Sequence, residues 1–136
     1  MDAIDRDILR ILKDEGRATC RSIGKRVALS EGAVRKRIKN LLNSGKIRRF
    51  TIKRGDTEGA EAITLLSITP YLSTSEISQL IKKLPNVDAV HEITGEYDIA
   101  VVITGSSITE VNESIETVRQ IEGVNKTNTM IILRSW

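Results

Sequence analysis

The 136-residue sequence contains little cysteine and few aromatic residues, and each shortage excludes a class of protein. The single cysteine, Cys20, excludes an intrachain disulfide and a cysteine-based metal cluster, which favours a reducing, cytoplasmic setting. Aromatic residues make up 3% of the chain, so few side chains can stack on the bases of single-stranded nucleic acid. No apolar run is long enough to span a bilayer, and Met1–Asp5 does not resemble a signal peptide. We therefore expect a cytoplasmic protein without a membrane partner.

The charges are divided unequally along the chain. The whole sequence has 21 basic and 18 acidic residues, a formal net charge of +3. Of these, 16 basic and 6 acidic residues lie in Met1–Arg54, which gives this part a net charge of +10 and leaves −7 for Gly55–Trp136. Such segregation indicates that only the first part binds a polyanion. We predict a DNA-binding domain at 1–54, a linker at 55–60 and a second domain at 61–136.

Three short helices are predicted in the basic part. Apolar residues recur there at helical spacing, and Asp2, Thr19 and Ser30 each precede one helix as an N-cap. Gly16 is expected to end the first helix, and Ala28-Leu29 forms a tight corner before the third. This arrangement is the helix-turn-helix pattern. The segment Lys46–Arg54 then alternates apolar and basic residues, which predicts a strand or small β-wing.

The third helix is predicted to contact DNA. Val34, Ile38, Leu41 and Leu42 recur at helical spacing, and Val34, Ile38 and Leu41 are turned inward. The N-terminal end of a recognition helix points into the major groove, where an arginine binds guanine through two hydrogen bonds, and we assign this role to Arg35. The other candidates lie at the helix N-terminus or are placed to bind phosphate: Arg17, Arg21, Ser30, Glu31, Gly32, Lys36, Lys39, Arg48 and Arg49. The alternative is a solvated helix face. It is disfavoured because Glu31 is the only acidic residue between Ser30 and Arg54.

The acidic part shows the element order β-α-β-β-α-β. The strands are predicted at Glu61–Thr69, Val87–Ile93, Ile99–Thr104 and Val124–Leu133. The first helix, capped by Ser73 or Ser75, turns Ile77, Leu80, Ile81 and Leu84 inward, and the second turns Ile108, Val111, Ile115 and Val118 inward. The fold class is therefore α+β, with a ferredoxin-like domain in which both helices cover one face of an antiparallel sheet. The other face, with Ile63 and Leu65, is a predicted dimer surface.

Several motifs in a fixed order run along most of the chain. They are Ile4–Leu9, Gly16-Arg17, Leu29-Ser30 followed by Val34, Arg37-Ile38 and Leu41, then Gly45–Ile47, Thr94–Asp98, and Gly123-Val124 followed by Thr127 and Thr129. In this order the sequence resembles the leucine-responsive regulator/AsnC family, the feast/famine transcription regulators. The sequence departs from the family pattern at Leu42, where Glu is usual, and at Lys46, where an apolar residue is common. The link between Arg54 and Glu61 also looks shorter than usual.

The resemblance implies a homodimer that assembles further into tetramers or octamers and reads a pseudo-palindromic site on double-stranded DNA. It also implies that a free amino acid binds as an effector. The matching effector positions are Gly95, Glu96, Tyr97, Asp98, Thr127 and Thr129. Gly95 would let backbone N–H groups approach a carboxylate, and Asp98 would pair with an ammonium group. His91 is a further candidate on the neighbouring strand. The alternative is that Asp98 and Tyr97 serve the turn and its packing, and that His91 is structural.

An enzymatic function is not expected. The sequence has no glycine-rich phosphate loop and no metal-ligand spacing, so neither a cofactor nor a metal is predicted. Cys20 and His91 fall in different predicted domains, and no base, nucleophile and orienting group can be assembled. One alternative keeps the fold: an architectural protein that coats DNA with little sequence preference and has no effector response.

Overall fold

The computed structural model describes residues 1–55 and 58–136, and the chain forms two compact units, of which the first ends at Gly55. Of the predicted linker at 55–60, residues 56 and 57 lie outside the described part, and Ala60 already belongs to the first strand. No helix in the described residues is long and apolar enough to cross a membrane.

The first unit contains three helices: α1 (Ala3–Asp14), α2 (Cys20–Val27) and α3 (Glu31–Asn43). The three predicted N-caps are confirmed, because the side chains of Asp2, Thr19 and Ser30 each accept a backbone N–H three residues further on. The helices enclose a small aliphatic core of Ile8, Ile11, Ile23, Val34 and Leu41. Burial of these side chains is the main force that holds three such short helices together.

One prediction about the first unit is wrong, and one apolar residue of α3 lies outside the core. Leu42 is 38% exposed, because eight residues along a helix rotate it about 80° away from Val34, outside the buried stripe. Lys46–Arg54 forms no strand, and no strand occurs anywhere in Met1–Gly55. A strand needs a neighbouring ladder, and this unit offers no second extended segment. Only Ile47 packs on the core, while Phe50 is 54% exposed.

The second unit has the predicted order of elements. They are β1 (Ala60–Ile68), α4 (Thr74–Lys82), β2 (Val87–Glu92), β3 (Ile99–Gly105), α5 (Ile108–Arg119) and β4 (Val124–Ile131). The sheet order is β2-β3-β1-β4 with every neighbouring pair antiparallel, which confirms the ferredoxin-like arrangement. Ser73, the first of the two proposed caps, begins α4. The core between the sheet and the helices is aliphatic, with Leu66, Ile81 and Val101 fully buried.

The helices of the second unit bury narrower stripes than predicted. Leu80 is 54% exposed, and the residues that α4 buries are Ile77 and Ile81. Ile108 is 63% exposed, and it is the first residue of α5. Leu133 is 95% exposed because it lies beyond the end of β4, which is at Ile131. The sheet face away from the helices keeps Ile63 and Leu65 half-buried, as predicted for β1.

Candidate DNA-binding surface and effector site

All ten predicted DNA contacts lie on the surface of the first unit. They are Arg17, Arg21, Ser30, Glu31, Gly32, Arg35, Lys36, Lys39, Arg48 and Arg49, and every one is exposed. The hydroxyl of Ser30 caps the N-terminus of α3, so the partial positive charge of that helix end coincides with the basic face. The surface therefore carries exposed positive charge of the kind that attracts a duplex phosphate backbone.

Arg35 is paired within its own helix. Its Nη2 donates to Oε1 of Glu31 at 2.7 Å, and the two side chains are 72% and 49% exposed. An exposed pair of this kind contributes at most about 1 kcal/mol, so exchanging the carboxylate for a guanine costs little. In the free protein, Glu31 is thus the ion-pair partner of the residue that is predicted to contact a base.

Arg37 was not among the predicted DNA contacts, and the structure gives it a different partner. Its Nη1 donates to the carboxylates of Asp2 and Asp5 on α1, each at 2.8 Å. The pKa of Asp2 lies below its usual value, first because its carboxylate accepts the backbone N–H of Asp5 and second because of Arg37. Both carboxylates raise the pKa of Arg37. The residues are more than thirty positions apart, so the sequence pattern gives no sign of the contact.

Gly24, also missed by the sequence analysis, makes the turn of the helix-turn-helix possible. It is fully buried on α2, and a Cβ added there would lie 2.5 Å from the carbonyl oxygen of Leu29. The N–H of Leu29 donates to the oxygen of Gly24 at 2.9 Å, and Ala28 between them is left-handed with φ 56°. The backbone of the turn therefore packs directly on the glycine.

Asp98 ties the loop between β2 and β3 to the end of β1. Its Oδ2 accepts the N–H of Ile68 at 2.7 Å, and its own N–H donates to the oxygen of Leu66 at 2.8 Å. This tie lies where the register between β1 and β4 shifts. The loop also reaches β4, since Lys126 Nζ lies 3.9 Å from Glu96 Oε1. The end of β1, the start of β4 and the loop between β2 and β3 thus lie close together at the motif Thr94–Asp98.

The two threonines face the helices. Thr129 Oγ1 is 3.1 Å from Thr64 Oγ1, and Thr127 Oγ1 accepts a hydrogen bond from Arg119 Nε at 3.1 Å. Thr127 pairs with Leu66 on β1, which pairs with Ile99 on its other side. One strand therefore separates Thr127 from the Asp98 loop within a single chain.

The remaining effector candidates lie around the same loop or on the other face. Gly95 has φ +116° and open space around it, Glu96 is exposed and Tyr97 is half-buried. His91 pairs with Ala100, which pairs with Leu65. Directly opposed residues share a face, so His91 lies on the helix-free face, opposite the threonines. A single chain does not bring His91 together with them.

Comparison with known proteins is decisive for the family. Residues 1–48 match the family model described as winged helix-turn-helix DNA-binding, and residues 61–136 match the one described as Lrp/AsnC ligand binding domain. The chain belongs to the Lrp/AsnC family. It is 44% identical to the HTH-type transcriptional regulator LysM of Saccharolobus solfataricus, covering 100% of this chain and 96% of that protein. It is 35% identical to the regulator FL11 of Pyrococcus furiosus, covering 98% and 90%.

Solved structures with the same fold include two that cover nearly all of this chain. The crystal structure of PH0061 matches with a TM-score of 0.89 at 22% identity, covering 100% of this chain and 95% of that one. The NMB0573/L-Met complex from Neisseria meningitidis matches with a TM-score of 0.77 at 24% identity, covering 98% and 90%. The chain is therefore a DNA-binding transcription regulator with a small-molecule effector domain, and the prediction that it is not an enzyme is confirmed by its family.

Proposed function

We propose that α3 of this regulator reads the major groove of double-stranded DNA. Arg35 contacts a guanine, and Lys36, Lys39, Arg48 and Arg49 bind phosphates. Arg17 and Arg21 contact the backbone beside α2, and the N-terminal residues of α3, Ser30, Glu31 and Gly32, approach the base edges. The observation that carries this proposal is the basic exposed face of a capped α3, since no described residue with an acidic side chain follows Glu31 in the first unit.

The base-reading role of Arg35 is tested by Arg35→Ala. We expect a loss of about 1–3 kcal/mol, roughly 5- to 150-fold, at one base pair of each half-site, because the bidentate guanine contact disappears. Binding to wild-type and single-base variant sites, measured by fluorescence anisotropy, gives the specificity at that position. Arg10→Ala is the matched control, since Arg10 is an exposed arginine in a similar ion pair with Asp7 on α1. Equal weakening on all sequences would contradict the assignment.

The phosphate-binding role of Lys36 is tested by Lys36→Ala. Each lost phosphate contact reduces the slope of log K against log salt by about one unit, while relative affinities for different sequences stay the same. The measurement is the affinity for one duplex across a series of salt concentrations. Lys13→Ala, an exposed lysine on α1, is the control. An unchanged slope for Lys36→Ala would mean that this lysine does not contact phosphate.

We further propose that an amino acid binds the second unit at the loop Gly95–Asp98 and at Thr127 and Thr129, with His91 in a peripheral position. The solved methionine complex of a relative with this fold supports the class of ligand. The loop and Thr127 lie on either side of β1 in one chain, and we propose that a second copy supplies further groups to the site. Thermal screening of the standard amino acids, followed by DNA footprinting with each hit, tests this. If no amino acid shifts the unfolding temperature, the architectural alternative is favoured.

Self-association is part of the same proposal. The helix-free sheet face carries half-buried Ile63 and Leu65, and Met130 beside Ile63 is 43% exposed. Covering such apolar area is favourable, so we propose a homodimer through this face that assembles further into tetramers or octamers. Light scattering coupled to size exclusion measures the assembly. A cytoplasmic location is also proposed, and the single cysteine supports it.

A further inference from the structure

Arg37 makes the only ion pairs between α1 and α3 that the described residues show. Its single Nη1 donates to Asp2 Oδ2 and Asp5 Oδ1, and the Asp5 side chain is only 16% exposed. The two carboxylates are held in place as well. Asp2 and Asp5 form a reciprocal capping box in which each side chain accepts the other's backbone N–H. We refer to these three residues as the Asp2–Asp5–Arg37 cluster.

The cluster lies on a different side of α3 from Arg35 and Lys39, which are among the proposed DNA contacts. Two residues along a helix correspond to a rotation of about 200°, so Arg37 is turned away from both Arg35 and Lys39. Its side chain is 29% exposed, whereas that of Arg35 is 72% exposed. The guanidinium is already neutralised by two carboxylates. An arginine of the recognition helix would ordinarily be assigned to DNA, and its geometry here opposes that assignment.

The remaining contacts between α1 and α3 are aliphatic. Ile8, Val34 and Leu41 are buried in the core of the first unit. Apolar burial is non-directional, so several ways of packing α3 on α1 bury a similar area. Charge-assisted hydrogen bonds from a planar guanidinium fix both direction and distance. The cluster therefore adds a directional contact to the packing of α3 against α1.

We propose that Arg37 is a positioning residue: with Asp2 and Asp5 it sets the orientation of α3, so that the basic face meets the groove without Arg37 itself touching DNA. The inference rests on the proposed function of α3. The carboxylates of Asp2 and Asp5 thereby contribute to DNA recognition through Arg37, although they carry the same sign of charge as the phosphates.

The test compares Arg37→Met and Asp5→Asn, alone and together, on a duplex that the wild-type protein selects from a randomised pool. Arg37→Met keeps an aliphatic side chain at this position and removes the guanidinium group. We expect a folded protein whose affinity for the selected duplex falls by about tenfold, the loss that follows when one base contact is misaligned, with an unchanged salt slope. Because Arg37 acts through Asp5, the double variant should lose little more than Arg37→Met alone. Arg37→Lys should restore part of the affinity.

Three results would overturn the inference. The first is a salt slope that falls by about one unit in Arg37→Met, which would make Arg37 a phosphate contact. The second is wild-type affinity of folded Arg37→Met, with folding checked by circular dichroism. The third is full additivity of the two substitutions. If Arg37→Met does not fold, Asp2→Asn and Asp5→Asn decide, since both keep a side-chain acceptor and should still weaken specific binding. If the wild-type protein selects no duplex, the proposed function of α3 is wrong, and this inference is wrong with it. If the wild-type protein selects a duplex and the variants bind it as the wild type does, only this inference is wrong.

Discussion

Substitution of Gly24 by alanine is expected to destabilise the helix-turn-helix unit and to abolish specific DNA binding. Alanine has the higher helix propensity by about 1 kcal/mol. The new Cβ, however, would lie 2.5 Å from the carbonyl oxygen of Leu29. That atom belongs to the backbone of the turn and cannot rotate away, so α2 and α3 must separate. Overpacking of this kind costs about 1–3 kcal/mol, and the steric cost therefore exceeds the propensity gain.

The loss of DNA binding follows from the position of the turn. The residue displaced by the new methyl group, Leu29, immediately precedes the N-cap of α3, Ser30. A shift there moves the whole recognition helix against α2. The measurement is thermal unfolding together with affinity for a selected duplex. Gly32→Ala is the matched control for stability, because nothing lies within 4 Å of its added Cβ. It should stabilise the unit by about 0.5–1 kcal/mol. Wild-type stability and affinity of Gly24→Ala would contradict the prediction.

Much of the fold follows from local patterns in the sequence. A polar residue before an apolar helical repeat is sufficient to predict a helix start, and Asp2, Thr19, Ser30 and Ser73 all have this role in the structure. The order of strands and helices in the acidic part predicts the ferredoxin-like sheet for the same reason. N-caps and hydrophobic periodicity depend on neighbours within one or two turns, and neighbours of that kind are visible in a sequence.

The errors and omissions concern contacts between distant residues. A glycine in the middle of a predicted helix gives no sign that the carbonyl of Leu29 packs on it, so Gly24 was missed. The partner of Arg37 lies on α1, and the partner of Asp98 lies at the end of β1. The β-wing was predicted from alternation alone, although a strand depends on a ladder partner that the pattern does not contain.

The same limit affects the effector site. The resemblance to the family indicates that the motif Thr94–Asp98 and the two threonines bind one ligand. It does not give their positions relative to one another in the sheet. The sheet register shows that β1 lies between Asp98 and Thr127, and that His91 is on the face opposite the threonines. Which faces these residues occupy depends on strand pairing. Strand pairing is a property of the fold and not of any one segment.

Asp98→Asn is expected to abolish the response to the effector while leaving the fold intact. The asparagine carbonyl oxygen replaces Oδ2 as the acceptor for the N–H of Ile68, so the tie between the loop and β1 is preserved. The negative charge that would pair with the ligand ammonium is removed. We therefore expect no thermal shift with any amino acid that stabilises the wild-type protein, and no effect of that amino acid on DNA footprints. Asp88→Asn, an exposed aspartate on β2, is the control.

Asp98→Ala separates the structural role of this carboxylate from its role in binding. Alanine leaves the N–H of Ile68 without its partner, which costs about 1–3 kcal/mol in a partly buried setting. The second unit should therefore unfold at a lower temperature in Asp98→Ala than in Asp98→Asn, with both variants unresponsive to the amino acid. If an amino acid still shifts the unfolding temperature of Asp98→Asn, the carboxylate of Asp98 does not pair with the ligand ammonium group. That result would not bear on the hydrogen bond between Asp98 and the N–H of Ile68. Equal stability of the two variants would show instead that the hydrogen bond to Ile68 does not hold the loop. In that case the backbone hydrogen bond from Asp98 to the oxygen of Leu66 would be the contact that connects the loop to the end of β1.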